Sequence, residues 1–277
     1  MSILAKIASP LAVLATLLTL ACGTAAAATL DALYQAGTIV TGQGEEGRAL
    51  GFPVCLEHVL VKVSGDPRLA GDPRVAALAG EAGDYVSDFR YRDRLAGIQI
   101  HDEQGSRERS YELTVDFDPA RIDAALRSLG REPWSAPRPR LALFLAVRIG
   151  TAYYALASDG ARGRDQRDAL AAESERFGLP LALPSEAALA GAGLGVERLP
   201  AADLAALDTV AKTIGADLAL AGELTWSDEA LGWIADWRLG AEGETHRWGI
   251  RGVSFDAAFR NALGGAAQIL SGNGQPK

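Results

Sequence analysis

The sequence is poor in the residues that staple or metallate small folds. Its 277 residues include two cysteines, three histidines, one methionine and 6% aromatics. Two cysteines exclude a disulfide framework, and His58, His101 and His246 are too scattered to offer paired zinc ligands at helical spacing. Positive charge is also scarce. Lys and Arg total 27 against 35 Asp and Glu, a net charge of −8, with no basic stripe of the kind that neutralises nucleic-acid phosphates. No G-x-S-x-G elbow is present, and residues 29–277 carry no S-x-x-K pair. Nothing in the sequence asks for a cofactor.

One apolar run is present at the start. Leu11–Ala21 is unbroken but shorter than the ~20 residues that span a bilayer. Lys6 precedes it and Ala25–Ala28 follow, so residues 1–28 read as a cleaved secretory signal peptide that directs the chain to the periplasm. Cys22, preceded by Leu20 and Ala21, leaves a second reading open: lipidation at Cys22 and an accessory lipoprotein anchored to the outer membrane. No later run is long enough to make the chain an integral membrane protein. With Cys22 removed, Cys55 stands alone between Val54 and Leu56 and reads as a buried thiol.

The remainder divides at a proline cluster. Residues 131–139 hold three prolines, which break helices and central strands, so this segment reads as a linker. Residues 29–130 and 140–270 then form two α/β domains with separate cores, and 271–277 a disordered tail. In the first, the order is strand 37–42, helix through Leu56, Val59, Leu60 and Val63, a second helix opened by Asp72-Pro73, a hairpin of 95–101 with 110–117, and a helix capped by Asp118. The first helix starts or kinks at Pro53. In the second, Leu141–Val147 is a doubly buried strand. Helix 165–177, strand 179–183 and helix 201–214 follow, then strands 217–226, 231–239 and 244–251 and helix 255–270. The fold class is α/β (α+β), the second domain a mixed sheet whose antiparallel carboxy-terminal strands are covered by helices.

Several landmarks carry a resemblance. The runs His58–Pro67, Tyr85–Tyr91, Val115–Pro119, Pro139–Val147, Gly178–Pro184 and Ile214–Gly222 resemble, in order, the exported bacterial proteins of the domain of unknown function family DUF2066. The resemblance implies an exported envelope protein and transfers no catalytic residues.

Candidate chemistry is thin. Asp116 lies on one strand face with Asp118, and a carboxylate such as Asp116 could serve a cell-wall or glycan hydrolase; Asp118 before Pro119 reads more simply as a helix cap. Lys62 opposes a helix dipole more simply than it pairs with Ser64. Arg90, Arg92 and Arg94 give one strand face a basic row. Trp226, Trp233, Trp237 and Trp248 are four of the five tryptophans. They form either a core beneath the final helix or an open binding platform, and alternation with an amphipathic last helix favours the core. These residues point to binding rather than catalysis, with another envelope protein as partner and no nucleic acid. Amino-terminal sequencing of the exported protein is expected to begin at Thr29; a start at Cys22 would establish the lipoprotein instead.

Overall fold

A computed structural model describes residues 30–97 and 109–276. The signal peptide, its cleavage site, Cys22, His101 and the turn expected at 102–106 lie outside the described residues.

The chain is α+β. Its elements in order are α1 (Leu30–Leu33), β1 (Gln35–Thr41), α2 (Glu45–Ser64), α3 (Pro73–Ala79), β2 (Val86–Asp93), β3 (Ser110–Phe117), α4 (Pro119–Ser128), β4 (Leu141–Ile149), β5 (Ala152–Ala155), α5 (Arg164–Phe177), β6 (Leu181–Ala182), α6 (Glu186–Gly191), α7 (Leu204–Thr213), β7 (Leu218–Ser227), β8 (Gly232–Ala241), β9 (Glu244–Val253) and α8 (Phe255–Leu270). The first sheet is antiparallel, in the order β1-β3-β2. The second has six strands in the order β5-β4-β7-β8-β9, with β6 parallel to β4. Its β4–β7 pair is parallel and β7-β8-β9 antiparallel.

The hairpin partner of β3 lies earlier than its alternation suggests. β2 ends at Asp93 and 95–97 form a turn, so β3 pairs with Val86–Asp93 rather than with the strand expected at 95–101, of which 98–101 lie outside the described residues. Tertiary pairing decides this: Phe89 and Tyr91 sit opposite Val115 and Leu113, and the apolar face closes on α2. α2 begins at Glu45 and runs through Pro53, rather than starting there.

Two copies of Gly-Asp-Pro-Arg fold alike. Asp66 and Asp72 each cap a helical turn, accepting from the backbone N–H of Arg68 and Arg74 respectively and pairing with the same arginine's guanidinium. Asp72 is near solvent, whereas the Asp66 carboxylate is 0% exposed and also accepts from Arg131 Nε at 2.5 Å. Burial alone would raise the Asp66 pKa. The bonds from Arg68 and Arg131 outweigh it and hold this carboxyl below the usual range.

The buried end of α2 explains why the two halves share a core instead of having separate ones. A helix leaves its last four carbonyls without intrahelical partners. Val61 O accepts from Gly65 N at 2.9 Å, Lys62 O from Arg138 Nη2 at 2.6 Å and Val63 O from Trp134 N at 2.8 Å. Ser64 O accepts from Asn273 Nδ2 at 2.9 Å. The Pro-rich segment and the tail therefore serve as the cap of the first long helix. One buried cluster accordingly runs from Ala36 and Val40 in the first sheet to Leu263 and Ile269 in α8. The tail, expected to be disordered, is pinned by two of its residues. Gln275 bonds His246 Nδ1 at 2.6 Å, and Asn273 O accepts from Arg68 Nη2 at 2.9 Å.

The second sheet carries helices on both faces. α5 and α8 cover the face bearing Leu220, Leu224, Trp237 and Leu239, while α6 and α7 cover Ala142, Phe144, Ala219 and Ala221. The structure places Trp233, Trp237 and Trp248 in the core. The Trp248 indole donates to Asn261 O of α8 at 3.0 Å, and Trp237 lies against Gly222, where a Cβ would collide with its ring. Trp226 is 39% exposed and stacks edge-on against Trp233.

Gly65 and Gly71 both adopt the left-handed conformation that favours glycine. A Cβ on Gly71 would meet open space, whereas one on Gly65 would meet Ser271 Cβ at 2.7 Å and the Trp134 ring at 3.0 Å. Gly71→Ala is expected to cost about 1 kcal/mol and Gly65→Ala about 2–4 kcal/mol in urea unfolding. Equal costs would show that the buried end of α2 is not tightly packed.

Candidate binding cleft

The cleft is built from one edge of β1, which pairs with no strand among the described residues, and one ridge of α2. Tyr34 O accepts from Phe117 N, and Gly42 N donates to Arg109 O, both at 2.9 Å. In an antiparallel ladder, bonding alternates, so the even residues of β1 face β3 and Gln35, Gly37, Ile39 and Thr41 turn their backbone groups outward. Along this edge runs the α2 row Leu50, Val54, His58 and Lys62. Four helix residues rise about 6 Å and two strand residues about 6.6 Å, so the two rows stay nearly in step.

The inner half of the edge is occupied by side chains. Lys62 Nζ donates to Gln35 O at 2.7 Å, and the His58 imidazole lines the cleft beside Gly37. Lys62 is 6% exposed and has no ion pair among the described residues. Its ammonium can donate three hydrogen bonds and makes one. Burial lowers its pKa, Glu175 opposes that shift and Arg138 adds to it. Burial, with Arg176 nearby, pushes His58 down to about 4, the neighbouring Gly37 backbone opposing the shift.

At this end the cleft encloses about 430 Å³, with Arg92, Arg94 and Glu112 on the sheet side and Glu173 and Arg176 of α5 opposite. Arg92 is paired with Glu112 and Glu173 Oε1 accepts from Arg260 at 3.0 Å, whereas Arg94 has no ion pair among the described residues. The outer half is apolar. A groove of about 490 Å³ lies between Ile39, Leu50 and Val54, which are 56%, 69% and 41% exposed. The two halves meet at Thr38 and Ile39.

The residues singled out by sequence are dispersed. Asp116 accepts from Gln35 Nε2 at 2.6 Å and from Arg90 at 2.8 Å, so both its oxygens are engaged. Asp118 caps α4 through Ala120 N and Arg121 N. Ser64 Oγ donates to Leu60 O and lies on the helix rather than against Lys62 Nζ. Cys55 is buried, and desolvation pushes its thiol up to about 12. His246 is buried against Gln275. No group of three or more His, Cys, Asp or Glu is placed to hold a metal among the described residues. In the sequence His58 is an isolated imidazole. Its i, i+4 relation to Lys62 is the available signal for the cleft, but nothing local places β1 beside that row.

Residues 27–135 match the family described as Domain of unknown function (DUF8605). This overturns the resemblance to DUF2066: the runs His58–Pro67, Tyr85–Tyr91 and Val115–Pro119 all fall inside the matched segment. Short apolar runs ending in Gly and Pro are shared by many helix termini and do not separate such families. No curated protein and no solved structure matches the chain. No helix among the described residues is long and apolar enough to cross a membrane.

The unfolded His58 takes up a proton near pH 6.5, the folded one only near 4. Its contribution to stability is therefore complete above pH 6.5 and is lost as pH falls to 4. Between pH 7 and 4 the wild type is expected to lose ~2 kcal/mol more than His58→Gln, after discounting for partial solvation. Parallel stability curves would remove His58 from the buried edge.

Proposed function

We propose that this is an exported, periplasmic, non-enzymatic binding module that recognises another envelope protein by adding one of its extended segments to β1. The observation that supports this reading is the open stretch at Ile39 and Thr41, whose outward N–H and C=O groups border an apolar groove. Strand addition uses backbone bonds for affinity and side-chain pockets for selectivity. Exposed edges are ordinarily blunted by lysine, and Lys62 does this only at the inner end of β1, where His58 stands beside it. Exposed apolar side chains gathered in one place mark an interaction surface better than scattered ones do. The signal-like amino terminus supports the compartment.

A photo-crosslinking amino acid at Ile39 or Leu50 is expected to give a discrete adduct in the native envelope, and the same group at the exposed Leu231 none. Equal labelling from all three positions would dispose of the β1 edge as the contact surface.

A further inference from the structure

Resting on that reading, we infer that the segment taken by β1 is the carboxyl terminus of the partner polypeptide, with apolar residues in the outer groove and its α-carboxylate at the Lys62 end.

Two observations fix this orientation. The outward carbonyl of Gln35 is already bonded by Lys62, and the His58 side chain stands beside Gly37, so an added strand finds open backbone partners at Ile39 and Thr41 and loses them further in. α5 then stands across the inner end, with Arg176 lining the cavity. A chain arriving there must end or leave the sheet. An end brings a carboxylate to a cavity holding a buried ammonium with two unused donor positions and, at Arg94, a guanidinium without an ion pair among the described residues. Charge and geometry agree: β1 runs from Gln35 outward, so a partner whose carboxyl end lies at Lys62 runs antiparallel to it. Its alternate side chains then fall on Ile39 or on the Leu50 and Val54 ridge.

The test uses two peptide libraries with eight randomised residues, one with free carboxyl ends and one with the same residues followed by a Gly-Ser extension. Both are selected on the folded protein, and binding of the selected peptides is measured by fluorescence anisotropy. Apolar carboxy-terminal peptides are expected from the first library, with affinity falling at least tenfold on amidation of the peptide. Lys62→Met and Arg94→Glu should each weaken the free-acid peptide and leave the amidated one unchanged; Arg94 is exposed, so its variant tests the charge without disturbing the core. Peptides that bind equally as acid and amide, and are lost in Ile39→Asp, would overturn the carboxylate while leaving strand addition in place. No binders from either library, or binders indifferent to Ile39→Asp, would overturn both. Self-association abolished by Ile39→Asp would assign the groove to a second copy and overturn the proposal.

Discussion

The end of α2 is the constraint on which the rest depends. Its carbonyls are buried, and an unbonded buried carbonyl costs about 1–3 kcal/mol. Four of them are satisfied, at Val61 by the helix's own Gly65 and at Lys62, Val63 and Ser64 by groups from residues 134–138 and 273. Asp66 adds a desolvated charge immediately beyond, balanced by Arg68 and Arg131. Removing one partner of such a pair is more costly than the pair is worth, so these distant segments are held together with little tolerance.

The same helix end orients the cleft. Fixing Ser64 and Gly65 fixes the rotation of α2, and with it the face that carries Leu50, Val54, His58 and Lys62 along β1. Arg138 bonds both Lys62 O and Phe177 O, so the last turn of α2 and the last turn of α5 share one guanidinium. That shared contact sets where α5 closes the basic end. The cleft is thus a by-product of how the core is sealed, and its rigidity comes from there.

Much of the fold is legible in the sequence because local chemistry and tertiary demand agree. Asp118-Pro119 and Asp72-Pro73 cap helices as their sequences indicate, and Leu141–Ile149 is buried along the unbroken apolar part of its run. The differences lie where partners are remote. Pro53 is a local reason to begin a helix, yet α2 accommodates it because its other turns are held by packing. Asn273 sits in a short polar tail, and nothing local announces its bond to Ser64, 209 residues away. The cleft escapes a sequence reading for the same reason, since it needs β1, α2 and α5 together.

A helix closed by residues from the far end of the chain has a consequence for the order of events. While the chain emerges, residues 45–64 can coil, but their last carbonyls lack Trp134, Arg138 and then Asn273 until each has been made. Contacts of such long separation are slow to form, because the intervening loop must be closed before they contribute. The last turn of the first long helix therefore receives its final partner only when nearly the whole polypeptide has been made, so this helix end is among the last parts of the fold to be completed.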